Sequence, residues 1–302
     1  MHDPKKTYYS TKTIDINGSL LNLFHDSLPP INKVLPLYCY HTLRISCVLN
    51  GRGIWTIGDK NFPIEKGDIF SFNNKEYRSI HTIYPPDNLE IIILDFEPRL
   101  IWSNYGDYFE QNFLYTFFNR GPDFENRIEA KDSIANEIME LILDIQKELD
   151  DNLPEQRQII KVKLLNILAL LNRYYYKKGL VHAPDEDISK KFPQEINKVM
   201  DYIDKHLSEN ISLNELADMV HMSPSYFSRL FSKINGLGVS QYINKKRIQK
   251  SIYLLHNTDM SVIEIAYQCG FNNLANFYKV FKAATNSTPS ALRGLKTRGR
   301  FL

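Results

Sequence analysis

The chain has 302 residues, of which 43% are hydrophobic and 24% charged, values that exclude a disordered or collagen-like protein. At roughly 100–200 residues per domain, the length predicts two or three folded units. The densest apolar runs, Leu89 to Phe96 and Ile167 to Leu171, are shorter than the roughly 18 residues of a membrane helix, and the N-terminal residues carry no secretory signal. Three scattered cysteines predict no disulfide framework, so we expect a reducing, cytoplasmic location.

The net charge of +2 conceals an asymmetry along the chain. Residues 193–302 hold 14 Lys and Arg against 8 Asp and Glu, whereas the first 192 residues hold 23 against 27. From Met219 onward, 12 basic residues stand against only Asp259 and Glu264. A basic terminal segment predicts a polyanionic partner, with nucleic acid as the first candidate and an anionic membrane surface as the second.

The first part of the chain is predicted to be rich in strands. From about residue 40 to 96, short segments of β-branched and aromatic residues are separated by turns such as Gly51-Arg52-Gly53 and Gly67-Asp68. This spacing favours a sandwich or small barrel, over about residues 15–100. The aromatic stretch from Leu100 to Gly121 is expected to form short helical packing elements.

Two long helices are predicted within about residues 130–178, from Ile134 to Leu149 and from Pro154 to Lys178. The second helix is apolar on more than one face. Either it is sandwiched inside its own domain, or one face packs on the barrel and another on a second subunit. The residues that widen its stripe, and are therefore candidates for dimerisation, are Leu165, Leu168 and Tyr175. Residues 183–194, which are polar and interrupted by proline, are interpreted as an interdomain linker.

The last hundred residues contain two copies of one pattern, over 213–234 and 261–284. Ser212 with Glu215, and Ser261 with Glu264, have the spacing of capping boxes that begin short helices. In each copy a second helix follows a tight turn, with Ser223 as the predicted N-cap of the first of these. Helix, tight turn and helix form the unit that places its second helix in a DNA major groove.

The spacing of apolar residues supports this interpretation. Three residues of the first copy match three of the second at a constant offset of 50, which predicts one buried face on each second helix. A single helix from Val239 to Thr258 is expected to connect the copies. The matching residues are Phe227, Leu230 and Phe231 in the first copy, and Phe277, Val280 and Phe281 in the second.

Residues 195–295 resemble the DNA-binding domain of the AraC/XylS family of bacterial transcription regulators. Three positions depart from the family's pattern, where Ser251, Asn286 and Leu292 stand for the usual alanine, glycine and aromatic residue. All three concern packing rather than the segments expected to face DNA. The residues that match the signature are Leu216, Ala217, Ser223, Phe231, Gly236, Arg247, Leu255, Glu264, Ile265, Ala266, Gly270, Phe271, Phe277, Phe281, Pro289 and Arg293.

The resemblance implies a regulator that places two recognition helices in successive major grooves of double-stranded DNA. The wide apolar surface of the Pro154 to Lys178 helix predicts a homodimer, and RNA polymerase is a further candidate partner. Carried over by position, the base-reading candidates are Ser225, Ser228 and Arg229 in the first helix, and Ala275, Asn276, Tyr278 and Lys279 in the second. Phosphate contacts, which position without specifying sequence, are assigned to Lys233, Lys245, Lys246 and Lys282.

The strand region resembles the family's cupin-like sensor barrel, in Val48 to Gly53 and in Ile64 to Ile69. A metal site is not expected, because His41 and His81 are isolated and a cupin metal requires several converging ligands. A small-molecule pocket is the better interpretation, and a sugar and a fatty acid both remain open as effectors. Assembly alone is a further role open to the barrel. The residues expected to converge on the ligand are His41, Arg44, Arg52, Trp55 and Tyr77.

The predicted fold is therefore an α+β multidomain chain. Residues 1–182 form a cupin-like β-barrel with following helices, and residues 195–302 form an all-α domain with two helix-turn-helix units. The predicted function is ligand-responsive transcription regulation, without enzymatic activity or a cofactor. Two alternatives remain, a cupin-type metalloenzyme with an accessory DNA-binding module and a DNA alkyl transferase that uses a cysteine, for which Cys269 is expected to be an inert packing residue.

Overall fold

The computed structural model describes residues 8–16, 19–33, 37–40, 42–101, 112–121, 123–181, 192–235, 237–285 and 287–296. The chain divides into two compact units, one chiefly Asp3–Gln194 and the other chiefly Glu195–Ser232 with Leu237–Leu302. The predicted α+β architecture, a β-rich domain followed by a helical one, is confirmed. Among the helices of the described segments, none combines the length and the apolar character needed to cross a membrane.

The N-terminal unit consists of two antiparallel sheets. The larger has the order β1-β2-β9-β4-β7-β10 and the smaller the order β3-β8-β5-β6. The first strand begins at Tyr8, earlier than the boundary of about 15 predicted for the barrel. The strands are β1 (Tyr8–Ile16), β2 (Ser19–Leu28), β3 (Ile31–Asn32), β4 (Leu43–Asn50), β5 (Gly53–Ile57), β6 (Lys60–Ile64), β7 (Ile69–Phe72), β8 (Arg78–Ile83), β9 (Leu89–Phe96) and β10 (Arg127–Ile128).

The barrel core lies between the inner faces of the two sheets. Strand β9 is buried along most of its length because both of its faces are covered. Ile91 and Ile93 belong to the interior cluster, whereas Phe96 packs edge-on against Phe117, with ring centroids 5.9 Å apart. Side chains that alternate along a strand therefore enter two different cores.

In the described part of the N-terminal unit, three α-helices accompany the strands. They are α1 (Tyr115–Phe118), α2 (Ser133–Asp151) and α3 (Gln156–Lys177). Helix α1 and a preceding 3-10 turn at Asn112–Leu114 lie in the stretch expected to form short helical elements. The two long helices α2 and α3 agree with the predicted spans to within two residues at each end and pack against each other.

The broad apolar surface of α3 is buried within its own domain. Leu168 and Tyr175 have no exposed surface, and the Tyr175 hydroxyl lies 3.1 Å from the Ser71 hydroxyl of β7. The assignment of Leu168 and Tyr175 to a dimer interface is therefore wrong, because side chains enclosed by one protomer cannot contact a second. Leu165 is half-buried and is not excluded on this ground.

The described residues of the C-terminal unit form helices joined by turns, without strands. Its first helix begins at Phe192, so the last three residues of the predicted linker 183–194 are helical, while residues 183–191 lie outside the described residues. The helices are α4 (Phe192–Lys205), α5 (Leu213–Met219), α6 (Pro224–Asn235), α7 (Val239–Asn257), α8 (Val262–Gln268), α9 (Leu274–Thr285) and α10 (Pro289–Lys296). The long α7 contacts α8, α9 and α10, as expected of the helix that connects the two copies.

Candidate functional sites

The two helix-turn-helix units, α5-α6 and α8-α9, begin with the same local structure. The Ser212 hydroxyl accepts the Glu215 N–H at 3.1 Å, and the Glu215 carboxylate accepts the Ser212 N–H at 3.4 Å. Ser261 and Glu264 repeat this exchange at 3.2 and 2.7 Å. Both predicted capping boxes are confirmed. They fix where α5 and α8 begin and therefore where each turn lies.

The turns of the two units share a left-handed residue. His221 has φ 53° in the first turn and Gly270 has φ +86° in the second. A Cβ atom on Gly270 would lie 2.1 Å from the Leu207 carbonyl oxygen and 2.9 Å from Arg247 Nε. Arg247 Nε itself donates to that carbonyl at 2.9 Å. The second turn therefore requires glycine both for its backbone and for this close approach.

Each second helix has a capping side chain and a buried apolar face. The Ser223 hydroxyl accepts the Tyr226 N–H at 3.4 Å, as expected of an N-cap, and the Asn273 side chain accepts the Asn276 N–H at 3.0 Å. The second of these caps was not predicted from the sequence. The four matching aromatic residues are fully buried, which confirms the predicted inner faces: Phe227, Phe231, Phe277 and Phe281.

The opposite faces of α6 and α9 carry the predicted base-reading residues. All of them reach the surface of the unit. Ser228 is half-buried, and the exposed residues are Ser225, Arg229, Ala275, Asn276, Tyr278 and Lys279. Sequence reasoning missed Tyr226, which is 40% exposed and stands at the offset of 50 from Asn276, the same offset that relates the aromatic cores.

The four lysines assigned to phosphate contacts differ in their surroundings. Lys282 is exposed on α9 and Lys245 is half-buried on α7, whereas the side chain of Lys233 lies outside the described residues. Lys246 is only 12% exposed, and its ammonium lies 3.4 Å from the Asp204 carboxylate. The structure does not support Lys246 as a phosphate contact, because its charge is largely enclosed and has an internal partner.

Two residues predicted to bind a small molecule lie inside the barrel, where protein groups already engage them. Arg44 Nε and Nη2 donate to the two carboxylate oxygens of Asp95, both at 2.6 Å. Trp55 is enclosed by Phe70 and Phe72, with ring centroids 4.8 and 4.7 Å away. Both residues are thus part of the packed interior.

The remaining ligand candidates do not converge with Arg44 and Trp55. Arg52 is exposed in the turn between β4 and β5, and Tyr77 is 58% exposed just before β8. The predicted convergence of Arg52 and Tyr77 inside the barrel is wrong. Each residue comes just before the first residue of a strand, Gly53 or Arg78, and its side chain is exposed instead of entering the interior. His41 lies outside the described residues.

The histidine and cysteine side chains show no clustering in the described segments. The Nδ1 atom of His81 lies 2.9 Å from the Thr82 hydroxyl, and within the described ranges no group of three metal-ligating side chains lies together. Cys269 is buried, and this burial raises the pKa of its thiol to about 11. At neutral pH the thiol is therefore protonated and a weak nucleophile.

Family models match both units of the chain. An AraC-like ligand binding domain matches residues 38–159, and a helix-turn-helix domain matches residues 216–294. The first match excludes strands β1 to β3, begins before β4 and extends through α2 to the first residues of α3, and the second extends from α5 into α10.

Two curated relatives and one solved structure are similar to parts of this chain. An uncharacterized HTH-type transcriptional regulator of Staphylococcus aureus is 27% identical over 83% of this chain and 31% of its own length. The regulatory protein PocR of Salmonella typhimurium is 39% identical over 32% of each chain. The chain thus spans about a third of the length of these relatives. The DNA-binding domain of AdpA, solved with a target DNA, is 28% identical with a TM-score of 0.34 over 35% of this chain and 96% of that one.

A β-rich ligand-binding domain joined to a helical domain with two helix-turn-helix units defines a class of DNA-binding regulators. The spacing of the caps, turns and aromatic cores agrees with the family signature over both units. The chain belongs to the AraC/XylS family.

Proposed function

We propose that the protein is a sequence-specific transcription regulator that inserts α6 and α9 into successive major grooves of double-stranded DNA. The observation that carries this proposal is the repeated pair of capped helices, in which each second helix buries its aromatic residues and exposes a polar or cationic face. The N-terminal unit would make the regulator responsive to a small molecule.

The exposed residues have the chemistry of base readout. Arg229 is suited to a bidentate contact with guanine O6 and N7, and Asn276 to adenine N6 and N7. Lys282 and Lys245 are assigned to phosphates, which fix the register of the helices on the duplex. Tyr226 joins this set, since it occupies in α6 the position of Asn276 in α9.

The proposal is tested by duplex binding of the whole chain at several salt concentrations. Neutralised phosphates release counterions, so we expect the affinity to fall steeply as salt rises. A salt-independent affinity, or no binding to any duplex, would contradict the proposal.

A homodimer is part of the proposal, now through the outward face of α3. Val162 and Tyr176, on this face, are 64% and 63% exposed although both are largely apolar. Val162→Glu is expected to yield monomers in sedimentation, while the domain stays folded. Leu168→Glu is the matched comparison, and it should unfold the domain because its carboxylate would be buried without a partner. A monomeric wild-type chain would contradict the dimer.

RNA polymerase and a cytoplasmic location complete the proposal, because a transcription regulator acts where the polymerase meets DNA. The role requires no catalytic step by this chain. The protonated, buried thiol of Cys269 argues against the alternative of a cysteine-dependent alkyl transferase. The metalloenzyme alternative is tested by metal analysis of the purified protein, since stoichiometric zinc, iron or manganese would favour it.

A further inference from the structure

A second arginine lies inside the barrel with most of its hydrogen-bonding capacity unused. Arg78 begins β8 and pairs with Ile57 of the interior cluster, so its side chain enters the same core. The residue is 2% exposed. Its Nε and Nη2 have no hydrogen-bond partner among the residues that the structure describes, and its Nη1 donates one long bond of 3.4 Å to the Glu76 carbonyl. Buried donors without acceptors are costly.

Arg44 shows what the same two nitrogens do when an acceptor is present. Its Nε and Nη2 each donate a hydrogen bond to one oxygen of the Asp95 carboxylate, in the bidentate side-on geometry that arginine uses for carboxylates. Tyr40 links the two arginines, since its ring centroid lies 4.3 Å from the guanidinium carbon of Arg44 and 4.8 Å from that of Arg78. Arg78 therefore presents the same pair of nitrogens, Nε and Nη2, beside Arg44, but no carboxylate of the described residues accepts from them.

The protein's own acidic groups near Arg78 are already engaged. Asp95 is held by Arg44, and the two carboxylate oxygens of Glu76 accept bonds from Arg120 and Asn126 at 2.6 and 3.0 Å. Burial, followed by the charge of Arg44, lowers the pKa of Arg78 to about 9. At neutral pH the guanidinium is still protonated, so a buried positive charge lacks a counter-charge of its own.

The geometry points to Arg78 as the anchor for a ligand carboxylate, received bidentately by Nε and Nη2 inside the barrel. This inference rests on the proposed ligand-responsive function and names the ligand class, a carboxylic acid with an apolar body. The planar fork matches a carboxylate, and the apolar part is favoured by Phe72, whose ring centroid lies 4.3 Å from the Arg78 guanidinium carbon.

The inference is tested by calorimetry on the whole chain with hexanoate and benzoate, each compared with hexan-1-ol and benzyl alcohol. We expect at least one carboxylate to bind, about tenfold or more tighter than its alcohol, because only the acid can accept from both nitrogens. Arg78→Gln should weaken carboxylate binding by about tenfold or more and leave alcohol binding unchanged. Arg52→Gln, which removes an exposed arginine of the same domain, should leave both unchanged.

Ligand-free stability provides a measurement that does not depend on the choice of probe. Arg78→Met should raise the thermal unfolding midpoint of the ligand-free protein, because it removes a buried charge without a partner. An unchanged or lower midpoint would show that the charge is compensated within the protein and would overturn the inference. Equal binding of acids and alcohols, no binding of either acid, or undiminished binding by Arg78→Gln would overturn it as well.

The proposed DNA-binding function is measured separately, by duplex binding of the same wild-type preparation without any probe. A chain that binds DNA but no carboxylate contradicts only the assignment of Arg78. A chain that binds a carboxylate through Arg78 but no DNA contradicts only the regulatory proposal.

Discussion

The two helix-turn-helix units differ in their turns and exposed faces, although their capping boxes and aromatic cores are the same. The first turn places His221 in the left-handed region, where the second has Gly270. On the outward faces, Tyr226 and Arg229 of the first recognition helix correspond to Asn276 and Lys279 of the second. Buried and capping positions are held by the fold, whereas exposed positions are free to differ. If the proposed function holds, the two units would read different bases although their backbones follow the same helix-turn-helix plan.

The largest effect is expected from breaking the second turn. Gly270→Ala forces a Cβ atom into the left-handed region and against the Leu207 carbonyl, 2.1 Å away. We expect the free energy of unfolding of the C-terminal unit to fall by about 2–5 kcal/mol, from backbone strain and the loss of the Arg247 hydrogen bond. Denaturant titration of the whole chain measures this change.

Gly58→Ala separates backbone strain from the clash. Gly58 also has a positive φ, of +60°, but nothing lies within 4 Å of its Cβ position. Gly58→Ala should lower the free energy of unfolding by about 1–2 kcal/mol. Equal costs for the two variants would mean that the close approach at Gly270 contributes nothing.

Removing a cation from the second recognition helix should weaken DNA binding without changing its sequence preference. Lys282→Ala is expected to lower the affinity for all duplexes about tenfold and to flatten the salt slope by about one unit. Lys246→Ala is the matched control, because Lys246 is paired with Asp204. A selective loss on one sequence would indicate that Lys282 contacts bases.

The capping boxes should contribute similar stability to both units. Ser261→Ala and Ser212→Ala are each expected to cost about 1 kcal/mol in the free energy of unfolding. A marked difference between the two, measured by denaturant titration, would show that equal geometry does not mean equal stability.

These caps should also weaken in acid. Hydrogen bonds to Ser261 lower the pKa of Glu264, and the Tyr202 hydroxyl, followed by Ser212, lowers that of Glu215, both from 4.5. The contribution of these carboxylates is therefore fully present above pH 4.5 and is lost as the pH falls through the lower folded-state pKa. Glu264→Gln and Glu215→Gln should each reduce the acid sensitivity of unfolding. A pH profile identical to that of the wild type would contradict this role.

The smallest effect is expected where the first turn is made to resemble the second. His221→Gly relieves the left-handed strain at φ 53° and should raise the free energy of unfolding by up to about 1 kcal/mol. A decrease would mean that the His221 side chain stabilises the turn more than its backbone strains it.

Local features of the DNA-binding unit could be predicted from the sequence. A capping box joins residues three apart, as in Ser212 with Glu215, so its spacing defines the structure. The same holds for the inner face of α6, where Phe227 and Phe231 lie one turn apart. These features require no knowledge of what the helix packs against.

Contacts between distant residues could not be predicted. The periodicity of α3 predicts a broad apolar surface but does not show which element covers it. The sequence therefore predicts that Tyr175 faces a second subunit, whereas in the structure it packs beside Ser71 of the same domain. The same limit applies to Arg44, whose partner Asp95 lies 51 residues away. Alternation along β8 places Arg78 on the face of Ile80, which was the available signal for the interior arginine.

The most direct test of the central claim, that both recognition helices read bases, is selection of bound duplexes by wild type, Arg229→Ala and Asn276→Ala at one fixed salt concentration. Each variant should lose preference at its own base position, at a cost of about 1–3 kcal/mol on the preferred site. The two positions should lie about one helical turn, roughly 10 base pairs, apart. Profiles identical to that of the wild type, or loss at the same position in both variants, would contradict the account.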